Sequence, residues 1–274
     1  ITRVGNASVD VTCGSTYVDA GATALDSCDG DLTASIVTVN PVNTNLIGMY
    51  TVTYDVSDTA SNAATQVFRT VTVRSLVNAS FEQDTWDAQD ANGYRTTITD
   101  WTKSGGSSWG LNRRNGPLSG TCGPVPDGSQ FLFVQGSGTT TITTGLCGLA
   151  EGGRYDLSFF VNMRQGDPGM YLEVKIGNKT IMPAVLQGYR EGWHEIIVPF
   201  RYWSAEMGGT TLNFITHYPP GGDTTLLLDN VQLAPAREIN FAAIYANLEA
   251  QCDEASYGNW SCLLYTSDAA DEED

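Results

Sequence analysis

Apolar and polar residues alternate with a period of two along much of the chain. Over residues 50–56, Tyr50, Val52, Tyr54 and Val56 fall on one side and Thr51, Thr53 and Asp55 on the other, as in a half-buried strand. The runs 36–39 and 70–73 repeat the pattern at short spacing with Gly, Asn, Asp and Pro between them, which predicts a small β-sandwich over 1–75. Further strands are predicted at 130–135, 155–163, 171–176, 193–200 and 211–216. Such a length of strand with no helical period predicts a jelly roll over 76–235. After Pro235 the pattern changes. Phe241, Ile244, Tyr245 and Leu248 recur at helical spacing, so a short helix is expected at 239–251, within a C-terminal segment 236–261.

Composition narrows what such a β protein binds. The 274 residues carry 14 Lys plus Arg against 31 Asp plus Glu, a net charge of −17, which disfavours nucleic acid and anionic lipid as partners. No stretch approaches the ~20 apolar residues that span a bilayer. The chain opens at Ile1 with neither Met nor a signal-peptide pattern, so an internal fragment of a longer protein is expected. The six cysteines fall as close pairs: Cys13 with Cys28, Cys122 with Cys147, and Cys252 with Cys262. Nothing reads CxxC, and only His194 and His217 accompany them, so disulfides Cys13–Cys28 and Cys122–Cys147 are expected rather than zinc. Disulfides place the chain in an extracellular or cell-surface setting.

The blocks Gly14-Ser15-Thr16-Tyr17-Val18-Asp19-Ala20-Gly21-Ala22-Thr23-Ala24, Asp29-Gly30-Asp31-Leu32-Thr33, Gly48-Met49-Tyr50-Thr51-Val52-Thr53-Tyr54 and Asp58-Thr59-Ala60-Ser61-Asn62 resemble a bacterial immunoglobulin-like repeat. That family implies a spacer or adhesion module over 1–75. The opening 76–82, the Asp127-Gly128-Ser129-Gln130-Phe131-Leu132 strand, the turn and strand at 149–159 and the closing Leu228-Asp229-Asn230-Val231 resemble a galactose-binding-like carbohydrate-binding module. The expected class is then all-β: an immunoglobulin-like β-sandwich, a β jelly roll and a short C-terminal helical segment. From Cys262 to Asp271 the string resembles a translated sequencing adaptor, so 262–274 is set aside as artefactual.

Several groups could carry chemistry. Gly106-Ser107-Ser108-Trp109-Gly110 spells G-x-S-x-G, but its Gly and Ser flanks read as loop and supply no nucleophile elbow. Glu82-Gln83-Asp84-Thr85-Trp86-Asp87 is similar to the acidic run of jelly-roll endoglucanases, yet it falls at the first predicted strand and lacks the final Glu. A sugar ring stacks its C–H face on an aromatic and needs fixed polar partners for its hydroxyls. On that basis Trp109, Trp203 and Tyr171 are the candidate stacking groups, with Asn162 and Arg164 orienting hydroxyls. Trp101 and Trp193, at strand starts, are expected in the core. The resemblance further implies a structural Ca²⁺ held by Glu82, Asp229 and the Ser80 carbonyl, with Ser80 standing where such modules have Gly. A rival acidic cluster is Asp26, Asp29 and Asp31. The expected function is non-catalytic binding of a polysaccharide or glycan. The alternatives are an adhesion or structural surface protein without a sugar site, and an accessory fragment of a glycoside hydrolase.

Overall fold

In the computed structural model, which describes residues 1–85, 95–113, 123–136, 138–188, 192–218 and 224–236, nearly all regular structure is β-strand. The N-terminal part contains β1 (Thr2–Arg3), β2 (Ser8–Thr12), β3 (Ala22–Thr23), β4 (Leu25–Asp26), β5 (Gly30–Asp31), β6 (Val37–Val39), β7 (Gly48–Asp55) and β8 (Val67–Arg74). Four of these pair in the order β2-β8-β7-β6, with β2 parallel to β8. The alternation read from 50–56 holds: Val52 and Tyr54 join Val11 and Val71 in a buried cluster on one face. Arg69 is buried beside them. Its guanidinium pairs with Asp19 and donates to the Asn6 carbonyl (3.1 Å), while the Tyr17 and Tyr54 hydroxyls donate to the Asp19 carboxylate at 2.7 and 2.8 Å. A buried ion pair is tolerated where hydrogen bonds satisfy both partners in this way.

The second part contains β9 (Trp101–Gly105), β10 (Ser108–Arg113), β11 (Gln130–Gly136), β12 (Thr140–Gly145), β13 (Arg154–Met163), β14 (Met170–Ile176), β15 (Lys179–Gln187), β16 (His194–Arg201), α1 (Ser204–Met207), β17 (Thr211–His217) and β18 (Thr224–Pro235). Two five-stranded antiparallel sheets result, β10-β11-β18-β13-β16 and β15-β14-β17-β12-β9, packed face to face as a jelly roll. Leu157, Phe159, Val161, Leu172, Val174 and Phe214 fill the space between them. Trp101 lies in that core as expected, with ring centroids 5.1 Å from Phe81 and 6.2 Å from Phe214.

The strands expected from alternation are all present. β9, β10, β12 and β15 were not predicted. β12 is threonine on both faces apart from Ile142, β15 carries Pro183 on a sheet edge, and the Gly-Ser flank of β10 reads as loop. Residues 76–84, expected to open the jelly roll as a strand, form turns instead, with φ of 51° at Asn78 and 62° at Phe81. The helix expected at 239–251, Cys252, Cys262 and the tail lie outside the described residues, as does Cys122.

The expected Cys13–Cys28 and Cys122–Cys147 pairings are both corrected by the structure: Cys13 is bonded to Cys147, 134 residues away, with Cα atoms 6.1 Å apart, and Cys28 is free and exposed. The reason is the register of the N-terminal sheet. Cys13 donates its amide to Arg74 at the C-terminal end of β8. Cys28 sits in the β4–β5 turn, where the neighbouring Asp29 carboxylate accepts from Thr59 in the connection leading into the other end of β8. Eight residues of strand separate the two ends, about 25 Å, whereas a disulfide needs Cα atoms within about 7 Å. Closeness in sequence therefore did not mean closeness in space.

Candidate functional site

In an antiparallel sandwich the outward face of each sheet is ordinarily polar. The outward face of the β10-β11-β18-β13-β16 sheet is not. Along β11 five successive residues, Gln130 to Val134, are buried. Leu132 and Val134 face the sandwich core, while Phe131 and Phe133 join Leu227 in a separate apolar cluster on the outside, packed by Val125 and Trp193. The Trp193 ring stands edge-on to Phe131, 5.4 Å between centroids at 67°. Trp193 is thus not a residue of the main core, contrary to the expectation from its position at a strand start.

Polar side chains are set into this apolar face by the strand register. Asn112 is opposite Phe131, Asn162 opposite Leu227, and Gln135 opposite Thr225. Asn112 is fully buried; its Oδ1 accepts from the Arg113 amide at 2.7 Å and its Nδ2 finds no acceptor among the described residues. The Trp193 Nε1 and the Thr225 hydroxyl are likewise buried, with no partner among the described residues. Leaving such a donor unsatisfied costs about 1–3 kcal/mol, so these groups are not explained by the stability of the sheet alone. Asn162 is held in place by donating to the Gly192 carbonyl (2.7 Å) and accepting from the Met163 amide (2.8 Å).

Only part of the expected sugar-contacting set converges here. Asn162 is on this face. Arg164 follows at the end of β13, where it pairs with Asp167 at 3.0 Å, and the Asp167 carboxylate accepts from the Thr225 amide at 2.6 Å. Trp109 points inward from β10 and packs on the sandwich core. Trp203 is 42% exposed but rests against Gly152, beyond the Arg154–Arg201 pair at the opposite end of β13 from Asn162. Ten residues of strand, about 30 Å, separate those ends. Tyr171 projects from the outward face of the other sheet, opposite His217, whose Nε2 is 3.4 Å from Glu173. Asn112, Phe131, Phe133 and Trp193 were missed from the sequence. Their signal was available: Phe131 to Val134 and Leu226 to Leu228 are unbroken apolar runs, and a strand buried on both faces lacks alternation.

A second group of polar residues borders the same sheet. Asp229 is fully buried on β18, and its carboxylate accepts from the Asp127 amide (3.1 Å) and the Asn230 amide (2.7 Å). Glu82 accepts from the amides of Ser129 (2.7 Å) and Gln130 (2.5 Å). Its carboxyl lies where a side chain on Gly128, φ 60°, would stand. The Ala79 carbonyl accepts from Val231 at 2.9 Å, holding the turn that contains Ser80 beside the closing strand. Burial, then the nearby Asp127 and Glu82 charges, push the Asp229 carboxyl up to about 8 against the two amides that lower it. Among the described residues no Lys or Arg pairs with Glu82, Asp127 or Asp229, and the Gln130 Oε1 is buried without a partner. Carboxylate, amide and carbonyl oxygens are the donors a hard divalent cation takes. Glu82, Asp229 and the Ser80 turn fit such an ion by donor chemistry. Among the described residues no three His, Cys, Asp or Glu side chains converge as a ready-made metal cluster, so backbone carbonyls would have to complete the shell.

The remaining motifs are absorbed by structure. Ser108 of the G-x-S-x-G spelling opens β10, so a strand rather than a helix follows it. Asp84 of the acidic run is buried, pairs with Arg95 at 2.8 Å and accepts from Asn78 and Thr99. Asp26 accepts from the Cys28 and Asp29 amides and Asp31 from the Thr33 amide within their own turns, while Asp29 accepts from Thr59 of the β7–β8 connection.

Comparison with known proteins bears on the N-terminal part. Residues 1–73 match the family model described as Bacterial surface protein, Ig-like domain. No curated protein matches the chain. Among solved structures, a Stig cyclase from Fischerella sp. TAU is 21% identical over 60% of this chain and 98% of its own, with a TM-score of 0.44. The CBM51-2 and INT domains of Clostridium perfringens ZmpB in complex with GlcNAc are 13% identical over 89% and 50%, TM-score 0.33. TmCBM61 in complex with β-1,4-galactotriose is 14% identical over 60% and 99%, TM-score 0.40. At TM-scores below 0.5 these likenesses do not bear on what the chain binds. No described helix is long and apolar enough to cross a membrane.

Proposed function

We propose that the chain is a non-catalytic glycan-binding part of an extracellular or cell-surface bacterial protein, with its site on the outward face of the β10-β11-β18-β13-β16 sheet. The observation that carries this reading is the outward-facing apolar cluster Phe131, Phe133 and Leu227, on which the partly exposed Trp193 packs, with Asn112 Nδ2 and Trp193 Nε1 finding no acceptor among the described residues. The ring of Trp193, partly exposed above this cluster, suits the C–H face of a pyranose. Asn162 orients from the adjoining strand. We assign Glu82, Asp229 and the Ser80 carbonyl to a structural Ca²⁺, which would tie the turn at 78–84 to the closing strand. The bacterial surface family match over 1–73 supports the location.

A glycan array probed with the whole chain tests the reading. Saturable signal that soluble sugar competes away supports it. Absence of signal on all neutral and acidic glycans, with protein still folded, contradicts it.

A further inference from the structure

We infer that the site takes uncharged sugars and that Asp167 is the positioning residue that sets this choice, by holding Arg164 in place and neutralising it. The inference rests on the glycan-binding reading of the Trp193 face. Arg164 stands two residues beyond Asn162, about 7 Å along the strand and on the same side by alternation. Its amide donates to the Thr225 carbonyl at 3.1 Å, which carries the β13–β18 register one residue past Met163. Arg164 therefore lines up with Thr225 and Gln135, in the row next to Asn162, Leu227 and Phe133.

The guanidinium is fixed from one side. Asp167 Oδ1 accepts from the Arg164 Nε and Nη2, each at 3.0 Å, and Oδ2 accepts from the Thr225 amide at 2.6 Å. The Asp167 amide donates back to the Arg164 carbonyl at 3.2 Å, and Gly166, φ 87°, makes the turn between them. The Asp167 side chain is 5% exposed and that of Arg164 30%, so a ligand meets the guanidinium and not the carboxylate. A neutralised guanidinium offers directed N–H donors, which suit hydroxyl and ring oxygens, without offering a net charge. On the other side of Asn162 the next outward residue of β13 is Phe160, whose neighbours across the sheet are Glu195 and Asp229. Glu195 is exposed and has no basic partner among the described residues. Arg154 and Arg201 stand at the far end of β13. A sugar carboxylate beside Trp193 would thus meet one compensated cation, an uncompensated Glu195 and a chain of net charge −17.

The test uses the whole chain on an array that carries each neutral oligosaccharide beside its C6-oxidised uronate form, followed by titration calorimetry of the best pair at low salt. Wild type is expected to bind the neutral member about tenfold or more tightly than the uronate. Asp167→Asn keeps an acceptor for the Thr225 amide but removes the charge, so the preference should shift about tenfold toward the uronate, and added salt should reduce that shift. Arg164→Gln leaves the Asp167 charge without its cation, so it should weaken neutral binding and widen the preference. Thermal unfolding checks that each variant is folded; because the two variants move the preference in opposite directions, either one reads the role of Asp167 if the other fails to fold. Three results overturn the inference while leaving glycan binding at this face standing: a wild type that prefers the uronate, a folded Asp167→Asn with the wild-type preference, or a folded Arg164→Gln whose preference does not widen. Binding of neither member of any pair overturns the glycan-binding reading and this inference with it.

Discussion

Trp193 meets Phe131 edge-on, 5.4 Å between ring centroids, on the outside of a β-sheet rather than between sheets. The apolar surface there is buried yet holds donors that no described residue accepts from. A stability-driven arrangement would have replaced Asn112 with an apolar residue, because an unpaired buried amide is a net cost.

Asn112→Ala should therefore separate stability from binding. Removing an unsatisfied donor leaves the melting temperature unchanged or slightly raised, while the change beneath the Trp193 cluster lowers affinity about tenfold, or about 1.4 kcal/mol. Calorimetric titration beside thermal unfolding reads both. A variant that binds like wild type means the amide plays no part in the site.

The extent to which the sequence disclosed this arrangement follows from what alternation can encode. Tyr50 to Val56 and Tyr155 to Met163 place a polar face opposite an apolar one, so strand, face and fold class could all be read. Phe131 to Val134 break the alternation, and a strand buried on both faces carries no period from which its outward side chains can be told. Trp109 looked exposed because its neighbours are Gly and Ser, but strand parity turns it inward with Leu111. Pairing of Cys13 with Cys147 depends on which ends of β8 and β12 meet, a relationship between elements far apart in the chain that local spacing does not contain.

Acid should unfold the immunoglobulin-like part through Asp19. Burial pushes its carboxyl up, but the Tyr17 and Tyr54 hydroxyls, the Gly21 amide and the Arg69 guanidinium outweigh that and hold it below its ordinary 3.8. A depressed carboxyl contributes stability that is present above the unfolded value and lost as pH falls through the folded one. Asp19→Asn should melt earlier at neutral pH, since it strands buried Arg69 at a cost of about 3–5 kcal/mol, and should show a flatter acid slope. Thermal scans from about pH 6 to about pH 2 check it; parallel slopes for both proteins would remove Asp19 from the account.

Calcium should raise the melting temperature of the jelly roll and EDTA should lower it. Asp229, pushed up to about 8 without a cation, must ionise to bind one, so the calcium-induced shift should grow as pH rises toward that value. Glu82→Gln should abolish the shift. If that variant responds to calcium as wild type does, the ion is not held at the Ser80 turn and the closing strand.

The central claim is that the ligand sits on the outward face beside Trp193 and not at the exposed Trp203 at the opposite end of β13. The most direct measurement is the affinity of Trp193→Ala and Trp203→Ala for the best glycan found by the array, by titration calorimetry, with folding of each checked by thermal unfolding. Loss of the Trp193 ring should weaken binding by about tenfold to thirtyfold, about 1.4–2 kcal/mol, while Trp203→Ala binds as wild type does. Weakened binding in Trp203→Ala with Trp193→Ala unaffected would contradict it.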